Sequence, residues 1–239
     1  MNLALLGYGK MGKAIEQVAL KRGHRISQII DKHNYEEIYN LKSKGIDVAI
    51  EFTTPEAAFE NIKNCLLQKI PCVSGTTGWL SKKEDIEKIA LENDTAFFYA
   101  SNFSVGVNIF FRLNQLLAKI MKNFPEYYLE IEEVHHTQKK DAPSGTAITL
   151  AEDLIKQFEG AKKKWVNYKT DKKDEIGIVS KRIENVPGTH IVTYTSNIDT
   201  IQIKHDAFSR EGFATGAVLA AEFIFNKKGI FGMNDILSL

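Results

Sequence analysis

The stretch Leu3-Ala4-Leu5-Leu6-Gly7-Tyr8-Gly9-Lys10-Met11-Gly12 runs four apolar residues into a Gly-x-Gly-x-x-Gly turn. A strand, a tight turn and a helix start in that order form the phosphate-binding opening of a Rossmann unit. Gly7 permits the turn, and Gly9 lets backbone approach a pyrophosphate. Gly12 lets helix and strand pack closely, while the first N–H groups of the helix face the anion. A bare βα turn without ligand is the weaker explanation of this context.

Outward from that loop, residues 1–104 alternate β-rich apolar runs with amphipathic stretches, the pattern of a parallel sheet covered by helices. Strands are predicted at Leu3–Leu6, Arg25–Asp31, Asp47–Phe52, Pro71–Ser74 and Thr95–Tyr99. Thr54-Pro55 reads as an N-cap followed by a first-turn proline, and Ser81-Lys82-Lys83-Glu84 has capping-box spacing. Asp31 ends the second strand about 20 residues past the glycine loop, where a carboxylate accepts the adenosine ribose hydroxyls. That acid favours NAD. Lys32 beside it is a cation suited to the 2′-phosphate of NADP, with an exposed loop lysine as its ordinary alternative. Gly75-Thr76-Thr77-Gly78 and Ala100-Ser101-Asn102-Phe103 follow later strands, at the edge where open α/β sheets bind ligands. Gly75, Thr76, Thr77, Ala100, Ser101, Asn102 and Phe103 are therefore candidates for the nicotinamide side, although each turn taken singly could be ordinary turn chemistry.

Composition bounds the rest. With 239 residues and 44% hydrophobic content the chain can bury a large core. Thirty-one basic residues against 30 acidic ones leave a formal charge of +1, so nucleic acid and anionic membranes are not expected partners. Cys65 and Cys72 are too few for a disulfide framework and lack metal or redox spacing, so they read as reduced structural thiols. The start has no basic leader, and no uncharged apolar run reaches membrane-spanning length. A cytoplasmic protein is the expectation.

From Val105 a helix is predicted to Lys122. Longer alternating strands follow at Tyr128–Val134, Ile176–Ile183, His190–Thr195 and Thr200–Ala207. Ser144 is placed to cap a helix whose Ala147, Ala151, Leu154, Ile155 and Phe158 share one face. An apolar helix at Phe213–Phe225 is expected to pack back on the first part. The fold expected is α/β: a Rossmann-type parallel sheet over 1–104, completed by a C-terminal helix in 210–239, and an α+β domain with a mixed sheet over 105–209. Lys162, Lys163, Lys164, Lys172 and Lys173 are read as a solvated loop and frayed helix end without function.

The segment Glu130-Ile131-Glu132-Glu133-Val134-His135-His136-Thr137-Gln138-Lys139-Lys140-Asp141-Ala142-Pro143-Ser144-Gly145-Thr146-Ala147 carries the other half of the chemistry. Its helix start at Ser144, Gly145 and Thr146 offers N–H groups and hydroxyls to a carboxylate. Lys139 adds a compact positive charge, and a histidine exchanges protons near neutral pH. These groups suit an anionic substrate that is being protonated. No metal is expected, because adjacent strand histidines diverge and no third ligand is evident. His24, His33 and His190 are read as structural.

This segment, with the glycine loop, Gly75-Thr76-Thr77-Gly78, the run from Ala100 to Val107 and Phe213-Ala214-Thr215-Gly216-Ala217, resembles the 4-hydroxy-tetrahydrodipicolinate reductase (dihydrodipicolinate reductase) family nearly end to end. The glycine loop is compact where many members carry a longer, arginine-bearing one, and Glu184-Asn185-Val186-Pro187-Gly188 replaces a more glycine-rich turn. The resemblance implies an oxidoreductase of lysine and diaminopimelate biosynthesis that uses NADH and/or NADPH on a cyclic dicarboxylate held between two domains. It implies that His135 is the proton donor or acceptor and Lys139 the catalytic lysine, with substrate contacts at His136, Gly145 and Thr146. It further implies cofactor contacts at Gly7 to Gly12, Asp31, Lys32, Gly75 to Thr77 and Ala100 to Phe103, and a homotetramer joined through the second domain's sheets. Two rivals stay open from the residues alone: another two-domain Rossmann oxidoreductase acting on an amino acid or sugar, and a catalytically silent nucleotide sensor.

Overall fold

A computed structural model describes residues 1–209 and 211–237, so Arg210, Ser238 and Leu239 of the expected C-terminal segment 210–239 lie outside the described residues. The chain forms two compact units. One comprises Met1–Val105 together with the chain from Glu211 onward, and the other begins at Gly106.

The first unit is built on a six-stranded parallel sheet. Its strands are β1 (Asn2–Leu6), β2 (Arg25–Ile30), β3 (Val48–Glu51), β4 (Cys72–Ser74), β5 (Ala96–Tyr99) and β11 (Gly229–Phe231), in spatial order β11-β5-β4-β3-β1-β2. Order reverses at β1, the feature that opens a ligand crevice at the carboxyl ends of such strands. Alternation along β1 explains the two cores. Leu3 and Leu5 face α1 (Lys10–Lys21) and α6 (Glu211–Ile224), whereas Ala4 and Leu6 face α2 (Pro55–Leu67) and α3 (Lys83–Glu92). Full burial of each such Leu or Ile contributes about 1.5–3 kcal/mol.

Helix α6 buries Ala214, Gly216, Ala217, Val218, Ala220 and Ala221, a small-residue face that admits close backbone approach. A Cβ on Gly216 would stand 1.7 Å from the Phe103 carbonyl oxygen, so this helix packs directly on the turn after β5. Strand β11 is an element the periodicity did not reveal, being three residues long and flanked by Lys227-Lys228 and Gly232. Two short 3-10 segments, Tyr35–Asn40 and Lys42–Lys44, fill the β2–β3 connection. Thr54 and Pro55 stand at the start of α2 as expected. Ser81 does not cap a helix: Leu80–Lys82 forms a 3-10 turn, and α3 starts at Lys83 without a side-chain cap.

The second unit holds a mixed sheet of β6 (Tyr128–His135), β7 (Lys164–Val166), β8 (Glu175–Arg182), β9 (Gly188–Thr195) and β10 (Thr200–Ala207), in order β10-β9-β6-β8-β7. Strand β6 pairs antiparallel with β9 and parallel with β8. Phe110, Ala118 and Met121 of α4 (Val105–Met121) and Ala147, Leu150, Ala151 and Leu154 of α5 (Gly145–Gln157) share one core with Leu129, Ile131, Ile176, Ile178, Val192 and Tyr194 of the sheet. Asn114 donates to the Leu150 carbonyl at 3.1 Å and ties the two helices together. The lysine-rich stretch is not wholly a solvated loop. Lys164 opens β7, and Lys162 is buried with its ammonium on the Glu175 carbonyl at 3.2 Å, where burial lowers its pKa. Glu175 draws in Lys164 and Lys172, which explains why so many cations collect there.

Candidate functional site

In the first unit Gly7 adopts φ +92°, and a Cβ there would fall 2.2 Å from the Phe52 carbonyl oxygen, so only glycine fits. A Cβ on Gly12 would likewise meet the Gly7 carbonyl at 2.2 Å. Gly9 is different: its Cβ position faces open space, it caps α1 without a side-chain hydrogen bond, and no acid lies in the first turn. An uncapped helix start beside clear space fits the pyrophosphate of a dinucleotide. Tyr8 hydrogen-bonds the Glu16 carboxylate, and Lys10 and Gly9 are exposed at the turn. Asp31 and Lys32 are exposed at the end of β2, where one Asp31 oxygen accepts the His33 N–H at 2.7 Å.

Glu51, which the sequence reading passed over, organises the neighbouring turns. This wholly buried carboxylate accepts from Ser74 Oγ at 2.6 Å, Thr76 Oγ1 at 2.7 Å, the Thr53 N–H at 2.9 Å and the Thr53 hydroxyl. The turns after β3 and β4 are thereby tied to one side chain. The Thr76 side chain is spent in this network, and its carbonyl accepts from Trp79 Nε1 at 2.7 Å. Phe103 is also inward, its ring 5.5 Å from Phe52 and 5.8 Å from Phe98. Any ligand contact at Phe103 is thus made by backbone. Thr77 and Ser101 are exposed, Ala100 is buried, and Asn102 is half-buried with its side-chain oxygen on the Ser104 N–H.

In the second unit the period of a strand puts Glu133 and His135 on one face of β6, continuing the buried row of Leu129 and Ile131. Register does the rest: His190 of β9 and Ser180 of β8 stand opposite Glu133, and Arg182 of β8 stands opposite His135. Five polar groups converge where the apolar core ends. His135 Nδ1 contacts Glu133 Oε2, and Arg182 donates to Glu133 Oε1 at 2.9 Å. Glu133 is fully buried, and its hydrogen bonds from His135, Ser180 and Arg182 outweigh desolvation to bring its pKa down to about 2. It is an anion at every working pH. A carboxylate on Nδ1 engages that nitrogen and leaves Nε2 beside Gly188, whose Cβ position is 3.0 Å away.

His190 is not a remote structural histidine. Its ring lies 5.1 Å from His135, its Nε2 shares a 3.0 Å hydrogen bond with Ser144 Oγ, and burial pushes its pKa down to about 3, so it is neutral. Ser144 caps α5 by accepting the Ala147 N–H at 3.2 Å. Its hydroxyl is therefore committed to the cap and to His190. Gly145 and Thr146 open the helix with no acid in the first turn, and the Gly145 Cβ position meets open space, a surface suited to a carboxylate.

His136 follows the strand end and accepts the Lys139 N–H on its carbonyl at 3.1 Å, a turn that carries Lys139 back. Its own Nδ1 is buried and has no partner among the described residues. Lys139 pairs with Asp141 at 2.8 Å, and that ammonium lowers the Asp141 pKa. The sequence reading found no third metal ligand; the fold supplies candidates, since atoms of Glu133, His135 and His190 lie within 4.8 Å of one another. Arg182 on the same carboxylate opposes a cation there.

A unit whose loops fit a dinucleotide, joined in one chain to a unit carrying an oriented histidine beside an anion-ready helix start, defines the class of nicotinamide-dependent oxidoreductases. Family models for dihydrodipicolinate reductase match residues 1–103 (N-terminus) and 106–237 (C-terminus). The 4-hydroxy-tetrahydrodipicolinate reductase of Christiangramia forsetii is 53% identical over 100% of this chain and 98% of its own length. That of Methanocaldococcus jannaschii is 37% identical over 98% of this chain and 81% of its own. The chain belongs to the dihydrodipicolinate reductase family. A solved dipicolinate-bound dihydrodipicolinate reductase from Paenisporosarcina sp. TG-14 shares the fold, with a TM-score of 0.81 at 23% identity over 99% of both chains.

Proposed function

We infer that the chain reduces 4-hydroxy-tetrahydrodipicolinate to tetrahydrodipicolinate in lysine and diaminopimelate biosynthesis, using NADH or NADPH. The observation that carries this reading is His135, oriented by a buried carboxylate and linked through His190 and Ser144 to the start of α5. The 4-hydroxyl leaves with a ring proton as water, and when bound the dihydronicotinamide supplies hydride to the conjugated cyclic imine that remains. The residues of this chain do the remaining work. Gly145 and Thr146 N–H groups hold a substrate carboxylate at the helix start, His136 contacts the substrate, and Lys139 offsets its negative charge. His135 Nε2 and Lys139 Nζ are the two groups that deliver or hold the proton. Residues 1–104 with the C-terminal helix serve as the dinucleotide domain and 105–209 as the substrate and assembly domain.

Loss of NADH absorbance with freshly made substrate, against malate, aspartate and sugar controls, tests the reading. Turnover only with the cyclic dicarboxylate is expected, and dinucleotide binding without turnover would leave the nucleotide sensor in its place. Dipicolinate, the planar ligand of the Paenisporosarcina sp. TG-14 enzyme, should inhibit competitively against substrate. Competition against NADH alone would remove Gly145 and Thr146 from the carboxylate site.

Both cofactors are expected to serve, because Asp31 keeps a free oxygen for the ribose while Lys32 is exposed for a 2′-phosphate. Lys32→Ala should raise KM for NADPH several-fold, about 3–10-fold for one exposed charged contact, and leave KM for NADH alone. An equal change for both cofactors would sink the role of Lys32. The mixed sheet is covered by α4 and α5 on one face, and Thr193, Gln202, Lys204, Glu130 and Glu132 alternate onto the other. That polar face is the proposed seam of a homotetramer, which light scattering would register as four copies. The free thiols of Cys65 and Cys72 suit a reducing cytoplasm.

A further inference from the structure

We propose that Arg182 is a positioning residue that braces both proton-handling groups, His135 and Lys139, from the neighbouring strand. The inference rests on the functional reading above. It starts from a fork of donors: Nη1 reaches Glu133 Oε1 at 2.9 Å, and Nη2 reaches the Asp141 carbonyl at 2.7 Å. Glu133 holds His135 through Nδ1, and Asp141 holds Lys139 through its carboxylate at 2.8 Å. One rigid guanidinium therefore ties the end of β6 to the turn that carries Lys139. Nη1 also bonds the Lys181 carbonyl at 2.7 Å, which fixes the fork on its own strand. A guanidinium suits this task because its donors diverge in one plane, whereas a single ammonium cannot span both acceptors.

Arg182 also fixes the carboxylate that holds His135. The groups that meet that imidazole are Glu133 on β6, through Nδ1, and His190 on β9, its ring 5.1 Å away, with Arg182 opposite on β8. Of these, Glu133 is the buried carboxylate in direct contact, and Arg182 pairs with its other oxygen at 2.9 Å. Without Arg182 that oxygen loses its charged donor, and the carboxylate is no longer held from the neighbouring strand.

The test compares Arg182→Ala and Arg182→Lys with the unaltered chain, reading the ¹⁵N imidazole resonances of His135 at one fixed pH without substrate and kcat with it. Arg182→Ala should move those resonances, lower kcat ~10–100-fold and leave the dissociation constant for NADH unchanged. Arg182→Lys should return the resonances towards their original positions, because Glu133 regains a charged donor. It should leave kcat reduced, because the Asp141 tether is not restored. If Arg182→Ala does not fold, Arg182→Lys decides alone through that split. Unmoved resonances in folded Arg182→Ala, or full kcat in Arg182→Lys, overturn the brace. An unaltered chain that fails to reduce the substrate overturns the functional reading instead, and the resonances still judge Arg182.

Discussion

Replacing His135 by Gln, or Lys139 by Ala, is expected to lower kcat by ~10²–10⁴-fold while NADH binding is retained. His135 presents Nε2 because Glu133 occupies Nδ1, and Gln has no group that exchanges a proton near neutrality. Lys139 is kept in reach by its tie to Asp141 and by the turn closed between its N–H and the His136 carbonyl. The three residues differ in what they do. A group that moves a proton in the transition state shows its loss in kcat, and a uniform binding contact shows it in KM. His136→Gln should therefore raise KM for substrate with a smaller effect on kcat. Steady-state kinetics with NADH binding measured by fluorescence would check all three. Near-normal kcat in both His135→Gln and Lys139→Ala, with the fold verified by circular dichroism, would remove them from the reaction.

The cofactor end was legible because its requirements are local. A strand, a glycine turn and a helix start are contiguous in sequence, and Gly12 is pinned by the Gly7 carbonyl of the same turn, although the atoms that exclude a side chain at Gly7 belong to Phe52 and Thr53 after β3. The helix caps were less so: Ser81 has the spacing of a capping box, yet the chain makes a 3-10 turn before α3, a choice set by packing rather than by four residues. Strand β11 and β7 were missed for a related reason. Each has three residues, too few to display a period, and each exists because a longer neighbour, β5 or β8, offers an unpaired edge.

The substrate end divides in the same way. His135, Lys139 and Gly145 lie in one run of sequence and were read from it. Glu133 was within reach of the same reasoning, since two residues apart on a strand means the same face. His190 and Arg182 were not, because their places come from the register of β9 and β8 against β6, a fact that no local pattern encodes. Glu51 belongs to this second kind. Its four donors come from two turns separated by more than twenty residues, so an acid at a strand end acquires meaning only after β3 and β4 pair.

Glu133 carries the largest combined effect on stability and rate. Glu133→Ala takes the partner from His135 Nδ1 and one of three acceptors from the partly buried Arg182, which costs about 1–3 kcal/mol. Glu133→Gln keeps the volume but not the charge, so it separates the two roles. The amide can donate to Nδ1 as readily as accept from it, which admits the tautomer with its proton on Nε2. A fall in kcat of ~10²–10⁴-fold is expected from that loss of orientation. The acid response follows from linkage. Glu133 falls from 4.5 to about 2 on folding, so its contribution, about 3 kcal/mol, is present above pH 4.5 and is lost as pH falls towards 2. His190, lowered from 6.5 to about 3, contributes in the window above: the folded chain resists its protonation, so stability falls as pH drops from 6.5 towards 3. Urea denaturation across pH 7 to 2 should therefore show a continuous loss in the unaltered chain. In Glu133→Gln the part of that loss below pH 4.5 should shrink while the part above it persists. An unchanged profile below pH 4.5 would mean that Glu133 is not the buried anion on which His135 depends.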